Sequence, residues 1–252
     1  MSGDSRPSLL AALQNGWLFP PLPDLVMSPI TPMLFKFLTD LSENNQRDWF
    51  KANKPRYEKD VLDPAVELVS QLEKPLSRVA PMLSAIPKRH GGSVMRIYKD
   101  TRFSKDKTPY KTNVGISLRH EAYATIHAPG VYLHLDPTEC FLGVGCWRPE
   151  RSSLAAIRTA IAERPRDWRR AIESKRFRER YQLAGESLKT YPRGYPRDHV
   201  QIKDLRRVDF IGIAPLEPND LTEPELATRL IDHIKSARPL MTFLCDAIGV
   251  PY

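Results

Sequence analysis

Between Ser93 and Trp147 apolar and other residues alternate in four short runs, a period of two that only a pleated strand imposes. Val94, Arg96 and Tyr98 alternate with Met95 and Ile97. Val114, Ile116 and Leu118 alternate with Asn113, Gly115, Ser117 and Arg119. Val131, Leu133 and Leu135 alternate with Tyr132, His134 and Asp136, and Leu142, Val144 and Cys146 with Phe141, Gly143, Gly145 and Trp147. The pattern predicts strands near 93–98, 112–119, 129–136 and 140–147 in one antiparallel meander. Its buried face carries Val114, Ile116, Leu118, Val131, Leu133 and Leu135, and helices cover that face.

The helices are legible as stripes on either side. Thr31-Pro32 reads as an N-cap followed by proline at the first helical position, ahead of Leu34, Phe37, Leu38 and Leu41. A short helix follows Asn44-Asn45, and a longer one runs from about Lys54 to Ala80, kinked or divided at Pro64 and Pro75. After the strands come Leu154, Ile157 and Ile161, then a helix begun by Pro165 that carries Trp168 and Ile172. Residues 184–220 have turn chemistry throughout, and a last helix bears Leu226, Leu230, Ile234 and Ala237, restarting at Pro239. The fold class is therefore α+β: one domain from about residue 30 to residue 252, an antiparallel sheet of about four or more strands flanked by helices. Residues 1–29 hold Pro20, Pro21, Pro23 and Pro29 and read as a poorly ordered leader. No apolar run is long enough for a membrane span, and no cleavage signal points to export. Cys140, Cys146 and Cys245 are too few and too scattered for a disulfide framework or a tetrahedral zinc site, which fits a reducing cytoplasm.

Between the first two strands lies a loop of charges and hydroxyls. From Arg96 to Lys111 the bases Arg96, Lys99, Arg102, Lys105, Lys107 and Lys111 outnumber the acids Asp100 and Asp106, a net charge of +4. Arginine offers a planar fork to a carboxylate or phosphate, lysine a mobile point charge, tyrosine a neutral donor. Two outcomes are open. Both aspartates pair with neighbouring bases and the network only fixes the loop, or the surplus charge holds an anion.

The polar face of the sheet would carry Arg96, Tyr98, Asn113, Ser117, Tyr132, His134 and Trp147, with bare backbone at Gly143 and Gly145 where a ligand can come close. The same pattern also fits an ordinary wet sheet face. Of six histidines only His134 lies on that face, so it is the one candidate for proton transfer. Phosphate-binding, dinucleotide, serine-elbow and zinc-helix signatures are absent, and no metal ligands are spaced for a site. The other basic segment, residues 148–180, carries a net +6, and the rest of the chain beyond it and the loop sums to −2. It reads as a solvated arginine-rich helix face or as a contact for nucleic acid.

The run Arg96 to Thr112, R-I-Y-K-D-T-R-F-S-K-D-K-T-P-Y-K-T, resembles the signature of the domain-of-unknown-function-2461 family of mostly bacterial proteins. Further resemblances follow in order at Asn44-Asn45 to Trp49-Phe50, Lys54-Pro55-Arg56-Tyr57, Pro129 to His134, Gly143 to Pro149 and Pro192-Arg193-Gly194-Tyr195. They span about residues 34 to 245. Lys99 stands where the family usually has arginine, and Val208 where a lysine is common. The resemblance supports one domain and implies no activity, cofactor or substrate.

The leading expectation is a protein that binds, and acts on or merely holds, an anionic small molecule, phosphorylated or carboxylated. Arg96, Arg102, Lys105, Lys107, Lys111 and Arg148 would hold the anion, and Tyr98, Tyr110, Tyr132 and Trp147 would shape the pocket. The alternatives are a nucleic-acid-associated protein using residues 148–180 and a non-catalytic scaffold. Cofactor, substrate and oligomeric state are left open by the residues.

Overall fold

A computed structural model describes residues 26–102, 104–122 and 129–252. Most of the proline-rich leader, residues 1–25, lies outside the described residues. At its end, Ser28 Oγ donates to the Leu221 carbonyl (2.6 Å), and Val26 exchanges hydrogen bonds with Glu225.

Helix α1 (Pro32–Glu43) begins after Thr31 in extended backbone and buries Leu34, Phe37, Leu38 and Leu41, the face its spacing dictates. Helix α2 (Arg47–Tyr57) runs through a π turn (Glu58–Leu62) into α3 (Asp63–Val79). The expected long helix is thus divided at the π turn rather than begun at Lys54. The physical reason is Pro64, whose ring lacks an N–H and would meet the carbonyl four residues back; the wider π turn shifts the ladder just before it. Strands β1 (Leu83–Ser84), β2 (Val114–His120), β3 (Gly130–Leu135) and β4 (Cys140–Cys146) precede α4 (Arg151–Glu163), α5 (Pro165–Glu173) and the single turn α6 (Lys175–Arg178). Then come β5 (Gln182–Ala184), the short α7 (Ile202–Leu205), β6 (Phe210–Leu216), α8 (Pro218–Thr222) and the long α9 (Leu226–Ile248).

The six strands form one antiparallel sheet in the order β1-β2-β3-β4-β6-β5. Val114, Ile116, Leu118, Val131, Leu133 and Leu135 are all buried on one face, as the alternation requires. Helix α9 packs on β4 and also on α3, α4 and α5, so it is the centre of the helical layer. No helix among the described residues is long and apolar enough to cross a membrane.

Two sequence expectations fail. Residues 93–98 are not a continuous strand. β1 occupies the edge of β2 at His120 and Arg119; the chain then touches β2 again only near Val94–Ile116 and turns away to pair Tyr98 with Tyr110. Its alternation is divided between two partners. Residues 210–216, read as turn chemistry because of Ala214-Pro215, form the strand between β4 and β5. Gly212 lies where an added Cβ would meet the Phe177 ring at 2.9 Å, so glycine here serves packing. Pro215 is tolerated because β5 pairs only with Ile211 to Ile213, which leaves β6 an edge strand at residue 215.

Candidate functional site

The register defines the face of the sheet that the helices leave open. One cross-strand row is Ser117, Tyr132, Gly143 and Ile213; the next is Arg119, Gly130, Gly145 and Ile211. Three glycines lie in adjacent positions of these rows, so the middle of the face is bare backbone. Around it stand Met95, Tyr132, Phe141, Trp147, Ile211 and Ile213, and together they enclose a cavity of about 440 Å³. Arg119 is the cationic residue among those lining it.

The far end of the cavity is fixed by a turn. Gly145 has φ +118°, and an added Cβ would sit 2.1 Å from the Phe210 carbonyl oxygen, so no side chain fits. Arg148 has φ +47°. Its backbone N–H donates to one oxygen of the buried Asp209 carboxylate (2.7 Å), whose other oxygen accepts from the Glu186 N–H (2.8 Å). Asp209 therefore ties the residue after Trp147 to the chain beyond β5. Trp147 is 43% exposed, with the Arg148 guanidinium over its ring at 5.0 Å.

At the near end a polar cluster supports Tyr132. Its hydroxyl lies 3.2 Å from His134 Nδ1, and Asn113 Nδ2 is 3.5 Å and 3.4 Å from the two. Burial pushes the Tyr132 phenol up and the His134 imidazole down, so both are neutral at pH 7. Two donors face Nδ1, which assigns it as the acceptor and puts the ring proton on Nε2. The imidazole stacks on Phe141, centroids 4.8 Å apart and planes at 9°. His134 is not among the cavity-lining residues; it contacts Tyr132, which is.

The charged loop sits elsewhere, against α2. Asn45 accepts from the Tyr110 N–H and donates to its carbonyl, while Phe50 stacks on Tyr110 at 4.1 Å with Tyr98 beside it. Arg102 grips Asp100 through Nε (3.0 Å) and Nη2 (2.7 Å), which holds that carboxyl down at about 2. Lys99 bonds Asp106 and Thr108, each at 2.7 Å, and Asp106 is lowered chiefly by Lys99. Lys107 donates to the Thr101 carbonyl. Both acids are thus satisfied, and among the described residues Arg96, Lys105 and Lys111 make no ion pair. Lys111 is lowered by burial and then by the nearby charge of Arg96.

The sequence-designated residues consequently fall into three groups. Tyr132 and Trp147 line the cavity, with Arg148 against Trp147. Tyr98 and Tyr110 belong to the aromatic cluster on α2. Arg96, Arg102, Lys105, Lys107 and Lys111 belong to the loop and are not among the cavity-lining residues. Phe141 and Arg119 were readable from the alternation of β4 and β2, whereas Ile211 and Ile213 were hidden with β6.

The family model described as "Conserved hypothetical protein (DUF2461)" matches residues 33–243. The chain belongs to the DUF2461 family. Curated proteins and solved structures yielded no match. In this DUF2461 chain the matched span holds the whole sheet, the open-face cavity and the charged loop. Among the described residues no three His, Cys, Asp or Glu side chains are grouped to hold a metal ion.

Proposed function

We propose that the protein binds a small organic molecule with an apolar, ring-bearing body and an anionic end, carboxylate or phosphate, on the open face of the sheet. The observation that carries this reading is the cavity itself: bare backbone at Gly130, Gly143 and Gly145, aromatic walls from Tyr132, Phe141 and Trp147, and Arg119 in the lining. Its volume falls in the range of about 300–1,000 Å³ usual for small-molecule sites. A flat ring laid on the glycine floor would stack beside Trp147, and burying such a ring contributes several kcal/mol, roughly 25 cal/mol per Å² of apolar surface. Arg119 and Arg148 would meet the anionic end, and Ser117 and Tyr132 offer neutral hydroxyls.

The test is a thermal-shift series of aromatic and aliphatic carboxylates and phosphate esters against the wild type, Gly143→Leu and Trp147→Ala. A Cβ on Gly143 meets only ordinary contacts, the nearest being Ile213 Cδ1 at 3.4 Å, so the position accepts a side chain, and that of leucine would take up cavity space. Ring-bearing anions should raise the wild-type melting point and leave both variants unmoved, since a ligand stabilises only the state that binds it. Equal responses from wild type and both variants would place the ligand elsewhere and end the proposal.

A further inference from the structure

On the opposite side of the molecule, α5, α6 and α9 enclose a second groove of about 560 Å³. We propose that it binds the phosphate or pyrophosphate group of a small molecule, at a site separate from the sheet-face cavity. Four arginines line the groove, Arg164, Arg170, Arg176 and Arg238, and among the described residues none of them makes an ion pair. Two lysines also line it, each already paired: Lys175 with Glu179 at 3.8 Å and Lys235 with Asp232 at 2.9 Å. Two acids, Asp167 and Asp246, leave the lining with a surplus of positive charge.

Four like charges around one concavity repel one another, and a multivalent anion relieves that repulsion. The arginines come from separate elements and face a common space. Arg164 lies over the Phe243 ring at 5.1 Å, an arrangement that keeps a guanidinium's in-plane N–H groups available for a bidentate grip on phosphate. A further observation points the same way. Ser174, between α5 and α6, lines the groove, and its Oγ is shielded from water with no hydrogen-bond partner among the described residues. A hydroxyl without a partner at the wall of a cationic groove can donate to a phosphate oxygen once rotation about its Cα–Cβ bond turns it outward. The class of ligand follows from the acids. Asp167 and Asp246 at the same lining would oppose the continuous phosphate track of a nucleic acid but leave room for one or two phosphates among the arginines.

Isothermal titration calorimetry of the full chain with inorganic pyrophosphate and with orthophosphate, at low and at raised KCl, tests the site. Pyrophosphate should bind saturably to the wild type, more weakly as KCl rises, and with unchanged affinity to Gly143→Leu, whose sheet-face cavity is filled. Arg170→Gln/Arg238→Gln should weaken it at least about tenfold, and Ser174→Ala by less. Should the double variant fail the folding check by circular dichroism, Arg176→Gln alone carries the comparison. Absence of saturable binding, or equal affinity in wild type and variants, overturns the proposal. A short DNA duplex that displaces pyrophosphate with a much steeper salt dependence would also overturn it, assigning the groove to nucleic acid.

Discussion

Asp209 is the residue whose loss should be felt most widely relative to its size. It is 1% exposed, and its carboxylate accepts from two backbone N–H groups, those of Arg148 and Glu186. Hydrogen bonds to a charged acceptor each contribute about 1.5–3 kcal/mol. In Asp209→Asn the remaining oxygen keeps one donor while the amide turns an N–H toward the other, so the expected loss is one such bond, about 1.5–3 kcal/mol. Asp209→Ala removes both, and the expected loss is about 3–6 kcal/mol. For a domain of this size the melting point falls roughly 2–4 °C for each kcal/mol. Urea denaturation followed by far-ultraviolet circular dichroism gives the midpoint and the slope, and a constant slope identifies the change as one of stability. Because the Arg148 N–H anchors the residue after Trp147, the same variants should shift tryptophan emission before unfolding begins. A loss below about 1 kcal/mol in Asp209→Ala would mean that water replaces the carboxylate. The account of the turn given above would then be wrong.

Arg102→Ala/Lys105→Ala should leave the urea midpoint nearly unchanged, because the Asp100–Arg102 pair is exposed and Arg96 stays beside Asp100; a large drop would show that the loop carries structural weight. His233 has its pKa depressed to about 4 by burial and then by Arg180, against 6.5 in the unfolded chain. The unfolded state therefore binds the proton first, and stability should decline as pH falls from about 6.5 toward 4. His233→Gln should flatten that segment of the stability–pH curve; an unchanged slope would exclude the histidine as its source. Removing residues 1–29 should lower the melting point by several degrees more than removing 1–25, at roughly 1 kcal/mol for each hydrogen bond that Val26 and Ser28 make. Equal melting points for the two truncations would make those contacts incidental.

The helical layer and three of the four anticipated strands were legible because period alone specifies them. Leu34 to Leu41 has one buried face at helical spacing, and Val131 to Leu135 has one at strand spacing. β6 was not legible. Gly212 and Pro215 have turn chemistry locally, and only the Phe177 ring above and the short reach of β5 beside them make them strand residues. The cavity was half legible for the same reason. Gly143, Tyr132 and Trp147 follow from the alternation of β3 and β4, while Ile211 and Ile213 needed β6. The +4 of the central loop left two outcomes open, and sequence could not place its charges: Asp100 and Asp106 are each gripped by a base, Arg96, Lys105 and Lys111 make no ion pair among the described residues, and the loop lies on α2 away from the cavity. Sequence counts charges, but it cannot say which of them face one another.

The two ends of the sheet have a consequence for what can add to its borders. β1 is two residues long and β5 three, and the outer side of β2 beyond β1 is touched again at Val94. Beyond β5 the exposed border of β6 runs into Pro215, which has no N–H to offer an incoming strand. Among the described residues neither border presents the long row of open donors and acceptors on which extended peptides or a misfolded copy would add. The protein can thus carry a wide, apolar, ligand-sized hollow on its sheet while its edges give aggregation little to build on.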